Sequence, residues 1–155
     1  MRLPTLLKTS AAVTATALTG SLATRPDSRW YRKLDKPPWQ PPPAAFPVVW
    51  TALYGLLAVA GARVLDRAQG PARARFVRGY ATNLALNAGW TVVFFGARAP
   101  RAALAEIALL NVSNLALLNR ARSVDRAAAA AIAPYVVWTA FATALNSSIA
   151  ARNRK

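Results

Sequence analysis

The 155-residue chain contains no cysteine and no histidine, and only five acids against twenty lysines and arginines. Without thiolates or imidazoles, thiolate zinc sites, iron–sulfur clusters and c-type haem attachment are excluded. The usual axial ligands of haem iron are missing apart from Met1 and the tyrosines. A tetrapyrrole would therefore be held by stacking and apolar contact rather than by strong iron ligation. Ser–His and Cys–His nucleophilic catalysis is excluded as well. The acids are Asp27, Asp35, Asp66, Glu106 and Asp125. Glu106 alone falls within an apolar run, and one carboxylate does not make an acid–base pair.

What is there is apolar and basic. Hydrophobic residues make up 55% of the chain and charged residues 16%, and the charges are clustered instead of scattered over every helix. Lysine and arginine concentrate at 25–36, 63–78, 98–101, 120–126 and 152–155. Between these clusters lie apolar runs of roughly 20 residues, long enough to cross a hydrocarbon core about 30 Å thick as helices. The pattern predicts one domain over 1–155, an all-α membrane protein with five transmembrane helices. The expected spans are 3–24, 44–65, 76–96, 100–118 and 127–151, with Arg78 snorkelling near the end of the third. The first span is threonine-rich and carries Lys8. Its alternative reading is a secretory signal peptide, with Arg2 and Lys8 as the basic region and Ser21-Leu22-Ala23 as a small-residue cleavage site.

A net charge of +15 commonly points to nucleic acid. Here no segment is long enough to build a soluble basic face, so the charges read as short loops that favour anionic headgroups. The positive-inside rule does not orient the chain. One side carries Arg2, Lys8, Arg63, Arg67, Arg73, Arg75, Arg78, Arg120, Arg122 and Arg126. The other carries Arg25, Arg29, Arg32, Lys33, Lys36, Arg98, Arg101, Arg152, Arg154 and Lys155, an equal number.

Polar and aromatic residues inside the spans recur at helical spacing. Phe46, Trp50, Tyr54 and Leu57 share one face of the second span; Asn83, Asn87 and Trp90 share one face of the third. Asn111 and Asn114 lie together in the fourth, with Glu106 about a turn and a half earlier and expected to find an internal partner. Trp138, Ala142, Leu145 and Asn146 form a stripe in the fifth. The asparagines read either as interhelical hydrogen-bond glue or as the polar lining of a cavity for a flat apolar ligand. The tryptophans read either as an interfacial belt or as the walls of that cavity. Trp138 lies midway along its span, where a belt residue does not belong. Ala81, Ala85 and Gly89 place small residues every fourth position on another face of the third span, a candidate dimer interface.

Between the first two spans, Pro37, Pro38, Pro41, Pro42 and Pro43 forbid helix and impose a stiff extended segment. Pro47 is tolerated in the first turn of the second span. The segment reads as a rigid connector or as a lid, with Trp39 closing the mouth of the bundle.

Three motifs carry a resemblance. Trp30-Tyr31-x-x-Leu34-x-Lys36-Pro37-x-Trp39-x-Pro41-Pro42 is followed by Phe46-x-x-Val49-Trp50-Thr51-x-Leu53-Tyr54. Leu84-Ala85-Leu86-Asn87-x-x-Trp90 comes next, with Phe94-Phe95-Gly96-Ala97-Arg98. The last is Pro134-Tyr135-x-x-Trp138-x-x-Phe141-Ala142-Thr143-x-Leu145-Asn146. In this order and spacing the chain resembles the tryptophan-rich sensory protein / translocator protein (peripheral benzodiazepine receptor) family. The resemblance implies a five-helix bundle, often dimeric, with its first span retained. It implies a pocket for porphyrins and other flat hydrophobic ligands beneath a lid formed by the loop after the first span. Trp39, Phe46, Trp50, Tyr54, Asn83, Asn87, Trp90, Phe94, Trp138, Ala142 and Asn146 are the expected ligand-binding residues. Members are tied to tetrapyrrole and stress responses. Some bacterial members are reported to degrade protoporphyrin in light with tryptophans matching Trp50 and Trp138, the candidate catalytic pair. The chain departs from the family at Ala88, where many members carry a second tryptophan. The stretch Leu145–Arg152 lacks the tyrosine of the cholesterol-recognition pattern of animal members. Porphyrin is thus the better ligand expectation and cholesterol a poor one.

The expected function is binding of a porphyrin, as ligand and not cofactor, by a multi-pass protein of the bacterial cell membrane. No metal site and no nucleic-acid partner are expected; membrane lipid and a second copy of the chain are. Photo-oxidative degradation is the enzymatic alternative. Transport is the third, disfavoured by the absence of evident inverted repeats.

Overall fold

In a computed structural model, residues 1–153 are described; Arg154 and Lys155, part of the last basic cluster, lie outside them. Among the described residues there are six α-helices and no strand. They are α1 (Leu3–Ala23), the short α2 (Arg29–Lys33), α3 (Ala45–Arg67), α4 (Gly70–Thr91), α5 (Pro100–Arg122) and α6 (Arg126–Arg152). A π-helical segment, Val92–Gly96, continues α4.

Proline punctuates the helix starts. Pro4, Pro71 and Pro100 each occupy the first turn of α1, α4 and α5, where no intrahelical donor is lost. The third element differs from its expected bounds: it begins at Gly70 instead of residue 76. Hydropathy marks the apolar slab, whereas arginine is a good helix former, so the segment with Arg73 and Arg75 is wound into the helix ahead of the apolar run. The short helix α2 was not expected; Ser28 caps it, its Oγ accepting from the Tyr31 N–H at 3.2 Å.

The five long helices close a ring in the order α1, α3, α6, α5, α4, with α1 packed on α4. At Gly61 three of them meet. A Cβ there would lie 2.9 Å from the Tyr80 ring and 3.0 Å from the Thr9 methyl, so only glycine lets α1 and α4 approach α3 this closely. Thr9 Oγ1 donates to the Ala58 carbonyl at 2.8 Å, and Tyr80 OH donates to the Leu57 carbonyl at 3.0 Å. The first helix is thereby packed into the body of the protein.

The polarity of this bundle is inverted. Asn83 and Asn114 are fully buried at 0% exposure, while Val112 and Val137 stand outward at 67% and 70%. Burying amides while presenting valine and leucine outward is unfavourable in water and natural in lipid. The helices α3, α5 and α6 are long and apolar enough to cross a membrane. Helices α1 and α4 match them in length, at 21 and 22 residues, but threonines and arginines dilute their apolar character.

Two acids lace the basic end. Asp66 at the end of α3 pairs with Arg2. Asp125 accepts from Arg63 Nε at 2.9 Å and pairs with Arg67 at 3.1 Å, both on α3. The same carboxylate caps α6, accepting from the N–H groups of Ala127 and Ala128 at 2.9 and 3.2 Å. Burial alone would raise the Asp125 carboxyl; the Arg63 hydrogen bond and the Ala128 and Ala127 donors outweigh it and hold it below the ordinary carboxylate value. A depressed folded value contributes stability that is present above the unfolded value of about 3.9 and is lost as pH falls through the folded one. Asp125→Asn keeps a capping side chain but removes the charge, and is expected to cost about 1–2 kcal/mol at pH 7. In thermal unfolding of detergent-solubilised protein, the gap between the two proteins should close below about pH 4. A gap that persists unchanged at pH 3 would show that the ion pair contributes nothing.

Candidate ligand-binding site

The buried amides run through the bundle as a ladder. Tyr54 OH donates to Asn87 Oδ1 at 2.7 Å, and Asn87 Nδ2 donates to Tyr135 OH at 3.0 Å, linking α3, α4 and α6. One layer away, Asn83 Nδ2 donates to Asn114 Oδ1 at 2.6 Å, and Asn114 Nδ2 donates to Thr139 Oγ1 at 2.7 Å. Asn111 Nδ2 donates to Thr143 Oγ1 at 2.7 Å. Towards the other end, Trp90 Nε1 donates to Asn146 Oδ1 at 3.0 Å, and Asn146 Nδ2 donates to the Pro100 carbonyl at 2.9 Å. Helical periodicity dictated that these groups share faces; the fold matches each residue to a partner on another helix, and Asn83 Oδ1 alone of these amide oxygens is buried without a hydrogen bond among the described residues. The amides of Asn83, Asn87 and Asn146 are thus engaged as interhelical glue.

The aromatic rings divide into two groups. The first lies between α3, α6 and the proline-rich segment. Trp50 sits 5.3 Å from Tyr54 and 6.2 Å from Tyr135. Trp138 sits 6.0 Å from Phe46 and 5.3 Å from Phe141, and Trp39 meets Phe141 edge-on at 5.9 Å. These ring separations are those of favourable aromatic pairs. Trp50 and Trp138 are half-buried, and Trp39 is 48% exposed. Trp39 is placed by its prolines: Gln40 N–H bonds to the Pro37 carbonyl at 3.0 Å, and Pro37 is buried. The chain turns there and sets the indole against α6.

The second group lies at the π segment. A π turn carries an extra residue and re-aims the side chains around it. Trp90 stacks on Phe94 at 5.0 Å, and Trp30 and Tyr31 of α2 close over Phe94 at 5.8 and 6.4 Å. The expected binding residues are therefore not gathered in one place. Trp39, Phe46, Trp50, Tyr54 and Trp138 form one group and Trp90, Phe94 and Asn146 belong to the other, and Phe46, which meets Trp138, also packs on the Phe94 cluster and joins the two. Asn83 and Asn87 form the ladder between helices, and Ala142 is half-buried on α6.

An apolar groove of about 690 Å³ opens between α3 and α6, lined by Val49, Leu53, Ala130, Ala133, Pro134, Val137, Trp138 and Phe141. Of the expected binding residues, Trp138 lines it. Pro134 sits inside α6 and has no N–H, so the carbonyl of Ala130, which also lines the groove, loses its helical partner. Proline in an otherwise apolar helix was the available signal for this opening, and the aliphatic lining carried none.

Two further expectations are changed by the structure. Neither carboxylate oxygen of Glu106 has a hydrogen-bond partner among the described residues, although both are buried, so the internal pairing is not formed. Glu106 Oε1 instead lies 3.5 Å from where a Cβ of Gly89 would stand, which turns Gly89 towards α5. Ala81 and Ala85 remain exposed on the outer face of α4. No group of three or more metal-ligating side chains occurs among the described residues.

This arrangement has relatives. The TspO/MBR family model matches residues 9–152, which includes most of α1 and reaches the end of α6. The tryptophan-rich sensory protein of Cereibacter sphaeroides is 39% identical over 136 residues, 88% of this chain and 83% of its own. The tryptophan-rich protein TspO of Chlorobaculum tepidum is 36% identical over 87% of each chain. The human translocator protein is 36% identical over 76% of this chain and 71% of its own. An inside-out helical bundle, an aromatic wall around Trp50 and Trp138, and similarity along nearly the whole chain converge: the chain is a membrane protein belonging to the TspO/MBR family.

Proposed function

We propose that this protein binds porphyrins or related flat hydrophobic molecules at the aromatic wall between α3 and α6, in tetrapyrrole sensing, scavenging or transport. The observation that carries the reading is the apolar groove of about 690 Å³ edged by Trp138 and Phe141, with Trp39 of the proline-rich segment packed on Phe141. Its size suits a small-molecule site, and indole faces suit a flat π-system that can stack on them. Phe46 adjoins Trp138, and Trp50 adjoins Tyr54 and the buried Tyr135, so a ligand entering from the groove meets rings before it meets the amide ladder. Asn87 holds Tyr54 and Tyr135 of that wall, and in this reading Asn83, Asn87, Trp90, Phe94, Ala142 and Asn146 complete the ligand's surroundings on the inner side. In this reading α1, α3, α4, α5 and α6 all cross the bilayer of a bacterial cell, as one domain, and the proline-rich segment is the lid. Ala81 and Ala85 are the outward small residues on which a second copy would pack. The names of relatives, a sensory protein and a translocator protein, accord with sensing or movement of a small molecule.

A second reading is light-dependent porphyrin breakdown. It is favoured by the ring separations that connect Trp50 to Tyr54 and Tyr135, a chain of oxidisable side chains leading away from the wall. Excited porphyrin and oxygen would be the reactants, and Trp50 and Trp138 the indoles beside them.

Purified protein in lipid nanodiscs, titrated in the dark with protoporphyrin IX, is expected to saturate with quenching of tryptophan emission. Trp138→Ala and Trp50→Ala are each expected to weaken binding about tenfold, the loss of one aromatic contact of about 1.4 kcal/mol. Unchanged affinity in both variants would remove the site.

Under illumination, porphyrin bound to the wild-type protein should bleach faster than free porphyrin, and Trp50→Phe should slow the decay. Equal rates for bound and free porphyrin would leave binding alone.

Because the chain has no cysteine, single cysteines report topology directly. In sealed vesicles, cysteines at Gln69 and Ser123 should be labelled from one side, and cysteines at Asp27 and Ala97 from the other. Any other partition would overturn the five-span arrangement.

A further inference from the structure

A second groove, of about 520 Å³, lies between α4 and α5, away from the aromatic wall. It is graded along its length. At the end where α4 begins and α5 finishes it is cationic, with Arg75 and Arg78 of α4 and Arg120 of α5. Away from that end its walls are Leu86 of α4 and Leu109 and Val112 of α5. From Arg75 to Leu86, and from Arg120 back to Leu109, is eleven residues along a helix, about 16 Å. That is about half of a hydrocarbon core of roughly 30 Å, the depth of one leaflet.

The three arginines make no ion pair among the described residues, and the nearby acids are occupied. Asp66 is taken by Arg2, and Asp125 by Arg63 and Arg67. Among the described residues nothing neutralises the cationic end. Arg120 has room in the groove. Its guanidinium lies across Gly79, where a Cβ would collide with it, so the absence of a side chain on α4 seats the charge in the groove. Arginine suits a phosphate better than a point charge does, because its planar fork donates two parallel hydrogen bonds.

We infer that the groove between α4 and α5 is a binding site for one anionic glycerophospholipid. Its phosphate meets Arg75, Arg78 and Arg120, and one acyl chain lies along Leu86, Leu109 and Val112. Charge complementarity selects an anionic headgroup over a zwitterionic one, and the apolar length selects a lipid over a free phosphate. The inference rests on α4 and α5 crossing the bilayer, as proposed above, and is independent of the aromatic wall. Ala81 and Ala85 lie on the neighbouring face of α4, so the lipid would border that surface.

The test is native mass spectrometry of the full chain, in micelles doped with phosphatidylglycerol and phosphatidylcholine of identical acyl chains. One retained phosphatidylglycerol per chain is expected, preferred by about thirtyfold. The triple variant Arg75→Gln/Arg78→Gln/Arg120→Gln should lose the preference, whereas the equally charged control Arg25→Gln/Arg29→Gln/Arg32→Gln should keep it. Gly79→Val, which displaces Arg120 without changing charge, should reduce the preference several-fold and covers the case in which the triple variant does not fold. Equal loss in the control, or no effect of Gly79→Val, would make the retention nonspecific and overturn the site. So would equal retention of phosphatidylcholine, displacement of the lipid by its water-soluble headgroup, or a protein dimer appearing in place of lipid adducts. Cysteine labelling reports separately on the helix topology, and protoporphyrin titration of the same variants, expected to be unchanged, reports separately on the aromatic wall.

Discussion

The rest of this structure depends on the hydrogen bonds that buried amides make across helices. A polar group without a partner costs several kcal/mol in hydrocarbon, and the interior here contains Asn83, Asn87, Asn114 and Asn146. Their partners lie on other helices, so each hydrogen bond fixes a rotation and a height as well as a contact. Tyr54–Asn87–Tyr135 ties α3 to α4 and α6, and Asn83–Asn114–Thr139 ties α4 to α5 and α6. Lipid gives no hydrophobic drive for one helix to choose another. The amide ladder and the close approach at Gly61 supply that choice.

The aromatic wall follows from this frame. Tyr54 and Tyr135 are held by Asn87, and both stand behind Trp50. A ring backed by a satisfied hydrogen bond is a rigid surface, and rigid surfaces bind flat ligands without an ordering cost. Two backbone irregularities shape what surrounds it. Pro134 leaves the α3–α6 face open, and the π segment at Val92–Gly96 gathers Trp90, Phe94 and the α2 rings into a second cluster that touches the wall at Phe46.

Much of this was legible in the residues themselves. Apolar runs located all five long helices to within a few residues at most ends, because the length of the slab and the periodicity of the side chains are properties of the chain. The start of α4 was missed by six residues, since arginines that end an apolar run do not end a helix. The faces bearing Phe46, Trp50 and Tyr54, or Asn83, Asn87 and Trp90, were equally readable. Their division was not. Trp90 and Trp138 have the same chemistry and the same helical setting, yet one bonds to Asn146 at the π segment and the other lines an outer groove. The unpaired Glu106 was likewise invisible, because a partner for a lone buried acid depends on what faces it.

By itself the sequence determined the class of molecule: helices long enough for a bilayer, polar residues on shared faces, a stiff proline-rich segment, and no thiol or imidazole chemistry. These depend on local composition and spacing, which act within one helix or one loop. The tertiary structure alone decided which amide meets which, which tryptophans share a wall, and where the grooves between α3 and α6 and between α4 and α5 open. Those are relations between helices far apart in the chain. They are set by a few polar partners and by the close approach at Gly61, which act between helices and not within one.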